Sequence, residues 1–153
     1  MSAAHWHLLL NHLPVLGLAL GVGWLAVAVG QRSRHWERLG LETLVVVAIL
    51  TIPTYLTGKP AAAFIQPLDG AAQALIDRHE ETAQLASAAT LLLGLLALAG
   101  RLGFHRAQAF HPWFTLTVLT LGLIAVGLMA WTANLGGQVR HPEIRSTSFQ
   151  GKP

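Results

Sequence analysis

Three stretches of the chain, 8–30, 82–100 and 112–135, contain no charged residue, and a fourth apolar run over 39–56 is broken only by Glu42. Crossing a hydrocarbon core takes about 20 mostly apolar residues in a helix. The pattern therefore predicts four helices, at about 8–30, 39–56, 70–100 and 112–135. Pro14 has no N–H to offer the Leu10 carbonyl, so it either kinks the first helix or serves as its first residue. Gly17 and Gly21 have the spacing of a close helix contact.

Between the helices lie short polar segments. Residues 31–38 form a basic loop, and Thr57-Gly58-Lys59-Pro60 is expected to end the second helix. Residues 61–68 read as a proline-bounded connection lying in the membrane interface. Asp69 is a natural N-cap for the third helix. That helix starts amphipathic and becomes apolar all round, as expected of one that begins outside the hydrocarbon and then enters it. Residues 101–111 form a second basic loop, Pro112 opens the fourth helix, and Gly136-Gly137 is expected to close it. The tail from Ser146 reads as loose. Four helices on short links predict an all-α, integral membrane, up-down-up-down bundle over 1–145.

Composition agrees: 53% of the 153 residues are hydrophobic and only 11% charged, against roughly 25% charged in a soluble protein. There is no cysteine, which excludes disulfides, thiolate metal sites, iron–sulfur clusters and covalent haem attachment. The small net charge does not suggest a nucleic-acid partner. Its distribution is informative. The two basic loops carry Arg32, Arg34, Arg38, Arg101 and Arg106 against Glu37 and Glu42, whereas on the other side Lys59, Arg78, Arg140, Arg145 and Lys152 are balanced by five carboxylates. Basic residues in short loops stay cytoplasmic, so both termini are expected outside, on the periplasmic side of a bacterial inner membrane. Trp6, Tyr55 and Trp131 near one edge, with Trp36 and Trp113 near the other, suit interfacial belts.

Histidines supply the candidate chemistry. His5 and His12 are seven residues apart and share a helix stripe with Leu8, Leu9 and Leu16, whereas His7 points nearly the other way and reads as an interfacial side chain. We expect the His5–His12 stripe to face the other helices. On the third helix, His79 sits at the centre of an apolar stripe formed by Ala72, Leu75, Ile76, Ala83 and Ala86, while Asp77, Arg78, Glu80 and Glu81 turn away. Ionisable groups in membrane helices usually mark a site, and two imidazoles from facing helices are the usual means of holding a b-type haem. His12 and His79 are thus the expected axial ligands. His5 and His141 form a reserve pair, for a second haem or a surface metal, and Arg78, Arg140 and Lys59 are candidate partners for haem propionates. Copper or zinc at the same histidines is an alternative, as is a cofactor-free anchoring subunit built on the glycine and alanine faces. No charge lies near the middle of a span, which argues against an ion carrier. There is no phosphate-binding glycine loop, and His79-Glu80-Glu81 lacks the spacing of a di-metal motif.

Several short motifs resemble a bacterial family of four-helix membrane domains, the domain of unknown function 2231. Asn11-His12-Leu13-Pro14-Val15 takes the place of that family's His-Phe-Pro-like opening, and Thr57-Gly58 matches the end of its second helix. His79 matches the histidine at the start of its third, and Gly136-Gly137-Gln138-Val139-Arg140 matches its closing segment. The chain departs at Arg140-His141-Pro142-Glu143-Ile144, so the family carries no role for His141. The resemblance implies a four-helix membrane fold with haem association and a respiratory setting. Residues and resemblance together lead us to expect an electron-transfer subunit, working with other membrane or periplasmic redox subunits, in preference to a stand-alone enzyme.

Overall fold

A computed structural model describes residues 2–63, 70–104 and 111–145. Every element among them is helical: α1 (Ala3–Leu10), α2 (His12–Gln31), α3 (Arg34–Ala62), α4 (Gly70–Gly103), α5 (Pro112–Arg140) and a 3-10 turn, Pro142–Ile144. Asn11, between α1 and α2, keeps right-handed helical angles, and its N–H still bonds the His7 carbonyl. The two therefore run on as one long rod, Ala3–Gln31. This rod, α3, Ala72–Gly103 and Pro112–Val139 are each long and apolar enough to cross a membrane. A rod of 29 residues spans about 44 Å, against the roughly 30 Å of a hydrocarbon core, leaving a turn or so beyond it at each end.

The helices are longer than their apolar runs. α3 begins at Arg34 and passes through both Pro53 and Pro60. α5 passes through Gly136-Gly137 and stops at Arg140. Gly136 packs against the His79 ring of α4 within this continuing helix. Only Arg32 and Ser33 separate α2 from α3, and Arg32 makes the turn in the left-handed region (φ 49°), unusual for a residue with a side chain. The expected Asp69 cap, most of the 61–68 connection and the tail from 146 lie outside the described residues.

α2, α3, α4 and α5 form a closed ring in which each packs on the next and α5 returns to α2, while α1 packs on α3. Leu18 and Leu25 of α2, Leu41 and Leu44 of α3, Ala97 of α4 and Val118 of α5 are buried to 1% exposure or less. Small residues set the spacing. A Cβ on Gly94 would stand 2.2 Å from that of Ala48, and one on Gly100 would lie 2.1 Å from the Phe114 ring. Close approach of this kind is how helices associate in lipid, where burial of apolar surface gives no preference for a protein neighbour. Buried Thr51, Thr90 and Thr132 each donate their hydroxyl to the carbonyl one turn earlier, so no polar atom is stranded in the core at these positions. Large apolar side chains such as Leu16, Ile49, Leu92 and Ile124 are exposed on all four sides, each by more than half, which suits a bundle in contact with lipid.

One end of the bundle is clamped by charge. Glu37, in the first turn of α3, is fully buried. One of its oxygens pairs with Arg34 and the other accepts the Thr115 hydroxyl from α5. Arg34 also donates to the Phe104 carbonyl at the end of α4. α3 is thus tied to α5 through Glu37 and to the end of α4 through Arg34. Arg101 and Glu42 add an outer ion pair at 2.7 Å.

Candidate functional site

The face that the first rod turns inward runs through Pro14, Leu18, Gly21, Leu25 and Ala28. Seven residues before Pro14, on the same stripe, comes His7. The opposite stripe, expected to face the bundle, looks outward: Leu8, Leu9 and Leu16 are 56%, 60% and 67% exposed, and His5 and His12 are exposed with them. That expectation was inverted. A rod apolar on every side carries no amphipathic signal to orient it. Packing against α3 decides instead, through Gly17 on Val47 and Gly21 on Leu44.

His7 is half-buried against the end of α3. Its Nδ1 lies 3.1 Å from the Thr54 carbonyl oxygen and 3.3 Å from the Thr57 hydroxyl. A carbonyl can only accept, so Nδ1 carries the proton and Nε2 keeps its lone pair. The Thr57 hydroxyl is itself directed at the Pro53 and Thr54 carbonyls. Gly58, one turn beyond Thr54, gives the ring its place: a Cβ there would lie 3.5 Å from His7 Cε1.

His79 repeats this arrangement on the other half of the molecule. Its Nδ1 lies 2.9 Å from the Thr132 carbonyl of α5, which again fixes the proton on Nδ1 and leaves Nε2 free. Gly136, one turn beyond Thr132, leaves the space for the ring, since a Cβ there would lie 3.1 Å from His79 Cε1. The two half-sites thus share one plan: a histidine early in one long helix, bonded to the threonine carbonyl of a Thr-x-x-x-Gly turn late in the next. The expected stripe around His79 is in place, with Ala72, Leu75 and Ala86 buried. Lys59 and Glu80, paired at 2.7 Å, join α3 to α4.

The structure thus seats His7, which the hydrophobic pattern alone left at the interface, on the end of α3, and His79 on the end of α5. Thr-x-x-x-Gly occurs at 54–58, 90–94 and 132–136; the first and last copies receive an imidazole, whereas Gly94 receives Ala48, so the motif alone did not mark the site. His12 stands five residues from His7, roughly 140° around the helix, and faces away. His5 is exposed near the start of α1, where its backbone N–H donates to the Ser2 hydroxyl. His141, just beyond α5, is exposed, with its ring on Glu143 at 2.9 Å. The backbone N–H of Glu143 itself, and after it the His141 ring, hold the Glu143 carboxyl below the usual range. Arg78 is exposed on α4, and Arg140 is the last residue of α5.

Imidazole is a donor type used in axial haem ligation. Each imidazole is oriented by a backbone acceptor on Nδ1, as metal-bound histidines usually are. The fit to a bare zinc or copper ion is poorer, because no group of three or more potential ligands is assembled among the described residues and such ions usually take three or four. An apolar groove of about 380 Å³ between α2 and α3, lined by Leu13, Leu16, Gly17, Val46 and neighbours, is open along the helices and includes neither histidine. No family model, curated protein or solved structure matches the chain. The family likeness drawn from its motifs therefore stands on those residues alone.

Proposed function

We propose that this chain is a multi-pass protein of a bacterial inner membrane that holds a b-type haem between His7 and His79 and passes electrons through it. The observation carrying this reading is the matched pair of imidazoles, each with Nδ1–H on a backbone carbonyl and Nε2 free. When bound, the haem iron would supply the one-electron chemistry. The chain holds both rings in one tautomer, and Gly58 and Gly136 leave room for them.

The same reading sets the molecule in the bilayer as an up-down-up-down bundle. The start of α1 and the end of α3 share one edge with the early part of α4 and the late part of α5. The arginine-rich links lie at the other edge, which the positive-inside rule makes cytoplasmic. The haem edge and both termini then face outward, within reach of a periplasmic or membrane redox partner. The competing reading, a cofactor-free packing subunit, draws on the exposed apolar faces, but those faces suit lipid equally well.

A visible spectrum of the purified protein tests the proposal. Expected are a Soret band and sharp reduced bands that His7→Ala and His79→Ala each alter and His12→Ala leaves in place. A folded, colourless protein that takes up no added haem would leave the packing subunit as the reading.

A further inference from the structure

The groove between α2 and α3 has one polar end. Its α3 wall runs through Glu42, Val46 and Leu50, which are four residues apart and so share a helix face. Across from them lie Leu13, Leu16 and Gly17 of α2. From Glu42 to Leu50 is about 12 Å of helix. Glu42 stands at the end nearer the arginine-rich links, where it is half-exposed and pairs with Arg101 of α4 at 2.7 Å. One turn earlier on the same face comes Arg38. Trp36, two residues before it, stacks on Trp24 with ring centroids 4.8 Å apart, an aromatic pair suited to the headgroup level of a membrane.

The charges at this end do not balance. Glu42 is matched by Arg101, and Glu37 is taken up by Arg34 and Thr115. Arg38 has no ion pair or side-chain hydrogen bond among the described residues, and its Nε is buried without a partner. The groove thus offers apolar walls to a hydrocarbon chain and, at one end, two guanidiniums against one carboxylate. The surplus is a single positive charge, which matches the single negative charge of a phosphodiester, and basic groups at this level of a membrane attract anionic headgroups.

Resting on the membrane setting proposed above but not on the haem, we infer that this groove binds an anionic glycerophospholipid of the leaflet at the arginine-rich edge. One acyl chain lies along Val46 and Leu50, and the phosphate sits on Arg38. Glu42 holds Arg101 back and limits the site to one uncompensated charge.

The test strips the full chain of lipid in detergent and adds equal amounts of phosphatidylglycerol, phosphatidylethanolamine and phosphatidylcholine with identical acyl chains. Native mass spectrometry then counts what stays bound. The wild type should retain one phosphatidylglycerol in about fivefold preference to either of the others, the worth of one basic residue near an anionic headgroup. Arg38→Gln should abolish the preference. Glu42→Gln frees Arg101 and should raise it, a change of opposite sign that a damaged fold would not produce. Val46→Trp fills the groove and should lower retention of all three lipids alike. Equal retention by the wild type, or a preference for phosphatidylethanolamine, would overturn the site. So would a ranking that Glu42→Gln leaves unchanged, which decides the matter even where Arg38→Gln fails to fold. Retention untouched by Val46→Trp would overturn the seat in the groove. A chain that stays dispersed in water without detergent would overturn the membrane setting itself.

Discussion

The His79 ring occupies the space that a side chain at position 136 would need: a methyl on Gly136 would stand 3.1 Å from its Cε1. His7 and Gly58 stand in the same relation with more room, at 3.5 Å. The difference separates tight contact from ordinary contact. Gly136→Ala should push the His79 ring off the Thr132 carbonyl and cost about 1–3 kcal/mol, the usual range for overpacking. Gly58→Ala should be nearly neutral. Denaturation in mixed detergent micelles measures both, and equal losses would argue against this placement of the His79 ring.

The contact between α3 and α4 makes a similar pair. Gly94→Ala would place its methyl 2.2 Å from Ala48 Cβ and 3.4 Å from the Leu44 carbonyl. No flexible chain end is there to yield, so the helices must separate. A methyl on Gly127, by contrast, would meet nothing within 4 Å. We expect Gly94→Ala to destabilise by at least about 1–3 kcal/mol and Gly127→Ala to leave the unfolding midpoint within error.

The clamp at the other edge depends on a buried carboxylate. Glu37→Ala should strand Arg34 and lose the Thr115 bond, at a cost of about 3–5 kcal/mol. Thr115→Val removes only the hydroxyl and leaves Arg34 paired, so it should cost about 1–3 kcal/mol. An unfolding series that ranks Thr115→Val above Glu37→Ala would contradict the clamp.

Because the chain has no cysteine, single-cysteine labelling can read its orientation. Ser2→Cys should react with a membrane-impermeant maleimide added outside intact cells, and Ser33→Cys only after permeabilisation. The reverse pattern would put the His7–His79 edge in the cytoplasm.

Much of the fold was legible in the chain. The four apolar helices were placed, with starts predicted to within a few residues at Gly70 and Pro112. The first and third also end close to the expected Gly30 and Gly100, at Gln31 and Gly103, whereas the second and fourth run on past Pro60 and Gly136-Gly137, which are helix breakers by local preference only. The apolar surroundings of His79 were legible because the charged residues 77, 78, 80 and 81 mark the opposite face. Around His7 no charges mark a face, and the wrong stripe was chosen. Glu37 and Arg34 read as loop charges, because nothing local shows that α3 begins at Arg34 and turns Glu37 inward.

The sequence alone determined how many helices there are, how long their apolar runs are and in what order they come. Lipid requires an unbroken apolar run whose backbone bonds are satisfied internally, and such runs are visible in one dimension. Only the tertiary structure decided which side of each helix faces protein. A helix apolar all round is as much at home against lipid as against a neighbour, so the choice falls to shape and to a few polar contacts. Glycines that admit another helix, carbonyls that receive an imidazole and a buried carboxylate that receives a hydroxyl from another helix are relations between distant residues, and they exist only once the helices are packed.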